Sequence, residues 1–391
     1  MLQAMNDDND YQFINTPQAL EELCIHLQGE DWLAVDTEFL REKTYFPKLC
    51  LVQIATPLRT VCIDPLALPD IEPLLKLLYD PHIIKVMHAA RQDLEIFYHI
   101  RGVVPRPVFD TQMAAPLLGY ADQAGYATLV EALLDIHLSK SHTRADWSHR
   151  PLSNAQLQYA ADDVRYLAKL YPILRGKLEQ LGRLPWLADD FDTLTDPSQY
   201  DRPPELAWLR VRGLQQLRGH RLSTLQALAA WREQTARMDD QPRNWILRDE
   251  QLFDLAKMQP DDKTALLRIR GINAKVLHKY SEAILNVIAK SKTQEPQPLP
   301  PEHIPARLTA GQDAVVDLLL SAARMIGEQH ALNPSIITGR KELERLVQGD
   351  QTVGILQGWR KKIAGETLLA VLVGKVGLRV ADDTVRLFGV D

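Results

Sequence analysis

The sequence predicts an α/β domain with a mixed sheet, followed by two small all-α domains. Three observations carry this. The first half alternates short apolar, β-branched runs with helix-like segments. A turn-rich break, "DPSQYDRPPE" (Asp196–Glu205), closes that half. A Pro-rich stretch, "KSKTQEPQPLPPEHIPAR", then divides the helical remainder in two. Closely spaced prolines favour extended backbone over helix, so this stretch is a linker. The expected domains are residues 1–196, 200–292 and 308–391, with the linker at 293–307. A length of 391 residues suits two or three domains.

Within the first half, "WLAVDTEF", "LCLVQIAT", "TVCIDP" and "HIIKVMHA" read as strands, bounded by polar residues or Pro. The first three follow one another too closely for helical crossovers, which predicts an antiparallel meander. "IEPLLKLLYD", "QDLEIFYHI", "TQMAAPLL" and "TLVEALLDI" read as helices. The next segment, "RPLSNAQLQYAADDVRYLAKLYPILRGKLEQLG", is a long helix. Ser153 followed three residues later by Gln156 is a capping-box signature, so the helix starts just after Ser153. Beyond the break the chain is helical to about Ile288, and again from about Leu308.

Composition is that of an ordinary globular protein, 46% hydrophobic and 25% charged. The net charge of −6 gives no general attraction to nucleic acid, so any such binding rests on local basic patches. An acidic total also accommodates an acidic metal site. Cys24, Cys50 and Cys62 are isolated, without CxxC spacing, which argues against a zinc site or disulfide framework and fits a reduced cytosol. The N-terminus lacks the basic start and apolar core of a secretory signal. No apolar run approaches the ~18 residues of a membrane helix. The expected location is the cytoplasm, with no membrane partner.

Three short elements carry candidate chemistry. Asp36 and Glu38 end the first strand, two residues apart and so on one face. They suit either a solvated strand end or a shared cation. In "KVMHAARQDLEIF", Asp93 lies in the first turns of a helix, where the dipole alone favours an acid. His88, at the preceding strand end, is a ligand, a base or a structural residue. In "LQYAADDVRYL", Tyr159 and Asp163 share a helix face, with Ala160 and Ala161 leaving it uncrowded. Asp162 is three residues from Tyr159, so spacing alone does not exclude it.

Taken in order, D-x-E on a first strand, an Asp opening a later helix and Y-x-x-x-D on a capped helix resemble the DEDD superfamily of 3′–5′ exonucleases. The subgroup is the one with Tyr in its last motif. "VDTEFLREKTYFPKLCLVQIAT", "HAARQDLEIF", "FDTQMAAPLLGY" and "RADWSHRPLSNAQLQYAADDVRYL" are similar to the motif regions of the ribonuclease D family. The stretch from Pro204 to Ile272 looks like the C-terminal domain that helicases and ribonuclease D share, called HRDC. A more diverged second copy starts at Leu308. The resemblance implies an RNase H-like exonuclease fold. It makes Asp36, Glu38, Asp93 and Asp163 ligands of two divalent ions, Mg²⁺ or Mn²⁺, and Tyr159 the residue that positions the attacking water. The family spacing also selects Asp163 over Asp162. The implied activity removes 5′-mononucleotides from RNA 3′ ends, with transfer RNA precursors and other structured RNAs carrying a 3′ overhang as expected substrates.

Nucleic-acid contacts are expected at Thr37 and Phe39 beside the acidic pair. Phe39 suits a wedge on the terminal base or a core position equally. Arg210, Arg212, Arg218 and Arg221 form a basic cluster, and Arg268, Arg270, Lys275 and Lys279 a second. Trp208 and Trp231 are expected as core anchors. Two other readings keep the same sequence features: a 3′–5′ DNA exonuclease, and a non-catalytic RNA-binding protein on a nuclease fold. The complete acidic set argues against the second.

Overall fold

The computed structural model describes residues 11–138, 145–300 and 307–390. The N-terminal stretch read for a secretory signal and residues 301–306 of the expected linker lie outside them. The chain forms two compact units. One holds the residues up to Glu38, Cys50–Asp196 and the chain from residue 306 onward. The other holds Phe39–Leu49 and Pro197–Pro305.

The first unit is built on a six-stranded mixed sheet. Its strands are β1 (Gln12–Ile14), β2 (Trp32–Leu40), β3 (Lys48–Thr56), β4 (Arg59–Ile63), β5 (Ile84–Met87) and β6 (Val108–Asp110). Their order across the sheet is β1-β4-β3-β2-β5-β6. The three strands expected as a meander are consecutive neighbours, and β3 pairs antiparallel with β4. On the other side β5 runs parallel to both β2 and β6. Strands β1 and β6 are additions to the expected set. Each has three residues, too few for an alternating pattern to register.

Central position explains the composition of β2. Leu33, Ala34 and Val35 are at most 1% exposed, so the strand is apolar on both faces until Asp36. Helices α1 (Pro17–Leu27), α2 (Glu72–Leu78), α3 (Arg91–Arg101), α4 (Thr111–Ala114) and α5 (Tyr126–Leu134) follow the strands. Helix α6 (Asn154–Gln180) starts at the expected capping box, with Ser153 and Gln156 capping each other's backbone. Ala160, Ala161, Val164, Leu167, Ala168 and Tyr171 recur at helical spacing and are buried. A short helix, α7 (Ala188–Leu194), precedes the turn-rich break.

The second unit contains α8 (His220–Met238), α9 (Arg243–Ile246), α10 (Asp249–Met258), α11 (Lys263–Leu266) and α12 (Ala274–Ser291). Trp208 is 1% exposed in their core, and Trp231 packs edge-on to Tyr280 at 5.7 Å. Both are packing residues, as the sequence suggests. The segment Phe39–Leu49 joins this unit through Tyr45. Its hydroxyl donates to Glu233 (2.5 Å) and its N–H donates to Asp240 (3.0 Å).

The C-terminal part of the chain departs from expectation in two ways. Helices α13 (Ala310–Gln329), α14 (Arg340–Val347), α15 (Gly358–Arg360) and α16 (Glu366–Leu372) are followed by a hairpin. Its strands are β7 (Val376–Ala381) and β8 (Thr384–Gly389), so this part is not all-α. The turn residues Asp382 and Asp383 both have positive φ, +52° and +59°, as a tight two-residue hairpin turn requires. Nor does this part form a compact unit of its own. Val316, Leu319, Ala323 and Ile326 of α13 belong to one apolar core with Phe109, Leu117, Tyr171 and Leu187. Trp186 and Trp359 stack at 4.6 Å, and Arg183 donates to the carbonyls of Leu117 (2.6 Å) and His330 (2.5 Å).

Helix α6 carries two candidate site residues, so its cap bears on the site. Ser153→Ala is expected to destabilise the protein by about 1 kcal/mol, the ordinary worth of an N-cap hydroxyl. Urea unfolding followed by circular dichroism reads this, and an unchanged midpoint would show that the cap does not hold the helix.

Candidate active site

The site is assembled from the ends of β2, α3 and α6. Strand β2 turns polar where its apolar run ends, and Asp36 and Glu38 project from one face. Parallel pairing sets Ala34 beside Val86 on β5, which leads β5 into the turn before α3 at the same end of the sheet. That turn is held from outside. Ala89 has φ +57°, and α3 begins without a side-chain cap of its own. The Asp110 carboxylate, at the end of β6, accepts from the N–H groups of Ala89 (3.0 Å) and Ala90 (2.9 Å). Asp93 then falls in the first turn of α3, 6% exposed. Helix α6 supplies Tyr159 and Asp163.

One carboxylate oxygen each from Asp36, Glu38 and Asp163 lies within 4.8 Å of the others. Asp93 stands just outside that group and accepts a hydrogen bond from the Thr37 hydroxyl. Asp36 raises the Asp93 pKa, and Asp93 raises that of Glu38. Burial pushes Asp36 up to about 6, against a stabilising backbone hydrogen bond at Thr37. Burial, then Asp36 and Asp163, push Glu38 to about 10. Asp163 rises to about 8 through burial and then repulsion from Asp36 and Asp162, partly offset by a hydrogen bond from Tyr159. Asp93 is raised well above the carboxylate range, mainly by burial. Lost hydration dominates all four, and repulsion between carboxylates adds to it at Glu38, Asp93 and Asp163.

The chain has relatives among known proteins. A family model for 3′-5′ exonucleases matches residues 11–179, and an HRDC model matches 221–288. Ribonuclease D of Acidiphilium cryptum is 42% identical over 376 residues, covering 93% of this chain and 94% of that one. Ribonuclease D of Gluconacetobacter diazotrophicus is 39% identical over 380 residues, covering 96% of each. The chain belongs to the ribonuclease D family. The crystal structure of Escherichia coli RNase D superposes with a TM-score of 0.83 at 31% identity, over 93% of this chain and 99% of that one. As a member of the ribonuclease D family the protein is a 3′–5′ exoribonuclease, and RNA is its substrate.

The geometry also separates Asp163 from Asp162, which spacing could not. The Asp162 carboxylate accepts from Arg165 (2.9 Å) and Gln158 (3.0 Å), outside the acidic group. His88 is not in that group either. Its Nδ1 lies 2.9 Å from the Thr111 hydroxyl, and burial holds its pKa down near 4, so it is neutral. Among the expected nucleic-acid contacts, Thr37 is 5% exposed and its hydroxyl orients Asp93. Its side chain supports Asp93 from β2. Phe39 is partly buried.

Arg210, Arg212, Arg218 and Arg221 are exposed on the second unit. Desolvation, then nearby Arg202 and Arg243, lowers the Arg210 pKa. Arg212 lines an open cleft with Asn244, Arg248 and Phe253, where Asp249, Glu250 and Asp254 dilute the positive charge. The Arg218 guanidinium donates to the carbonyls of Gln215 (2.5 Å) and Leu217 (2.8 Å). Of the second cluster, Lys279 is paired with Asp239 at 2.8 Å. Sequence reasoning gave no role to Asp110, which lies in the quoted "FDTQM". Its signal was an Asp directly before a helix, the pattern of an N-cap, and it does cap Gln112 (2.8 Å).

The raised carboxylates make stability pH-dependent. An unfolded chain releases these protons near pH 4, whereas the folded metal-free site keeps them up to about 6, 8 and 10. The folded state therefore binds more protons across that window, and stability falls as pH rises through it. Glu38→Gln is expected to raise the thermal midpoint of EDTA-treated protein at about pH 8.5 and to flatten the fall, because it removes the most strongly raised of these valued groups. Equal, flat midpoints for both proteins between about pH 5 and 9 would contradict the electrostatics described.

Proposed function

We propose that this exoribonuclease trims the 3′ ends of structured RNA, transfer RNA precursors above all, by metal-dependent hydrolysis. The reading is carried by one observation: the acidic group on β2 and α6, with Asp93 beside it and Tyr159 hydrogen-bonded to Asp163. The donor set fits Mg²⁺ or Mn²⁺, since it consists of hard carboxylate oxygens with no thiolate or imidazole. Asp36, Glu38, Asp93 and Asp163 would hold two such ions, and burial without basic partners is the electrostatic state that bound cations relieve. When bound, a pair of divalent ions acidifies the attacking water and neutralises charge on the departing 3′ oxygen.

The remaining work falls to the chain itself. Thr37 and Asp110 keep Asp93 and its helix in place, so the carboxylates need little rearrangement when charge changes. A phenol ionises near pH 10, which makes Tyr159 a poor base at neutral pH. Its role is to orient the water by hydrogen bonding while Asp163 fixes the hydroxyl. The similar Escherichia coli RNase D is an exoribonuclease involved in structured RNA processing, which supports the substrate class. Exposed arginines on the second unit supply phosphate contacts, so binding weakens with salt.

Release of 5′-mononucleotides from matched RNA and DNA duplexes with 3′ overhangs tests the reading. Release that needs Mg²⁺ or Mn²⁺, favours RNA and disappears in Asp36→Ala is the expected result. Equal release from DNA would favour the DNA exonuclease. Tyr159→Phe is expected to lower kcat about 100-fold, the loss that follows when a reacting group is no longer held in position, with RNA affinity retained. Normal turnover in that variant would remove the role given to Tyr159.

A further inference from the structure

Tyr159 is held by more than its own helix. Its ring lies beside the indole of Trp147, with centroids 6.2 Å apart and planes inclined by 34°. Trp147 is 2% exposed, yet it sits in the loop before α6, on neither helix nor strand. A loop has no ladder of backbone hydrogen bonds to fix a large side chain, so another group must seat it.

Arg150 has the geometry to do so. Its Nη1 donates to the carbonyls of Trp147 (2.7 Å) and His149 (2.8 Å). Nη2 donates to the carbonyl of Cys50 on β3 (2.7 Å) and to Asp64 Oδ1 (2.7 Å), while Nε donates to Asp64 Oδ2 (2.7 Å). Asp64 directly follows β4. Its side chain is 4% exposed, and its Oδ1 also accepts from the Leu66 N–H (2.9 Å). One planar guanidinium thus ties the loop carrying Trp147 to two sheet strands. A lysine keeps the charge but lacks the fork that makes these bonds simultaneously.

We infer that Arg150, anchored by Asp64, is a positioning residue for Tyr159. By seating the loop on β3 and β4, it presses Trp147 against the phenol ring and fixes the direction of the hydroxyl that bonds Asp163. The inference rests on the role proposed for Tyr159. Rotation about the soft ring torsion of a tyrosine leaves the phenol oxygen on its axis but turns the plane in which the O–H bond lies. A neighbour packed on the ring therefore fixes the direction of the donated proton. Small displacements of an orienting group are costly in rate, about 100-fold for an ångström.

A double-mutant cycle separates this from a clamp that only stabilises the fold. Arg150→Lys and Trp147→Phe are each made in the wild-type and in the Tyr159→Phe protein, and kcat and KM are measured on one RNA. Each change is expected to lower kcat about 10- to 100-fold in the wild-type background and about onefold in the Tyr159→Phe background, with KM held within about twofold throughout. Trp147→Phe keeps Arg150 intact and decides the matter where Arg150→Lys does not fold. Losses that multiply fully with Tyr159→Phe overturn the inference, as does a lowered thermal midpoint with unchanged kcat. Normal turnover in Tyr159→Phe alone removes the role of Tyr159, and this inference with it; impaired turnover with multiplying losses removes only the inference.

Discussion

Three carboxylates within 4.8 Å of one another, partly removed from water, repel each other and lose hydration at the same time. Left to themselves they would separate or take up protons, and their raised pKa values show the second response. The elements that bring them together must therefore be held by forces unrelated to the carboxylates. Strand β2 lies within the sheet, paired on both sides, and its apolar core residues fix its register. Helix α6 runs 27 residues from a complete capping box, with an apolar stripe against the sheet. Helix α3 begins on the Asp110 carboxylate. Each support is an ordinary device of stability placed where the site would otherwise come apart.

Buried charges in this fold follow a division of labour. Asp36, Glu38, Asp93 and Asp163 gather at the site with burial raising each of them, whereas buried Asp64 and Glu233 are paired with Arg150 and Arg243. Several basic side chains elsewhere in the first unit meet backbone carbonyls. Lys85, 1% exposed, donates to the carbonyls of Asp80 (2.8 Å), Ile83 (2.7 Å) and Arg106 (2.6 Å), and burial lowers its pKa to about 7. Arg183 donates to the carbonyls of Leu117 and His330, and Arg150, which also pairs with Asp64, to those of Trp147, His149 and Cys50. Carbonyls that loops leave without a ladder partner are thereby satisfied. This keeps cations away from carboxylates whose chemistry depends on being free for metal.

Much of this was legible in the sequence because its signals are local. An apolar run ending in D-x-E gives both a strand and the face of its acids. S-x-x-Q gives the start of α6 and so the phase of Tyr159 and Asp163. Other features were illegible for the same reason. Strands β1 and β6 have three residues each and owe their pairing to the sheet already formed. Asp162 and Asp163 are equivalent until Arg165 and Gln158 claim the former. The Thr37 hydroxyl bonds Asp93, 56 positions further along the chain, a pairing no local pattern carries. The hairpin at Val376–Gly389 is a different matter, since alternating apolar residues about Asp382-Asp383 carry the signal in full.

The apolar core that joins Phe109 and Tyr171 to Val316 and Leu319 has a consequence for how the protein is made. Its two halves are separated in the chain by Pro197–Pro305, the larger part of the second unit. During synthesis the sheet and α6 emerge long before α13, and for that interval Phe109, Leu117 and Leu187 lack the residues that cover them. The segment that completes the nuclease core leaves the ribosome only after that intervening stretch. A nascent chain therefore carries its carboxylates well before it has the finished scaffold that holds them together.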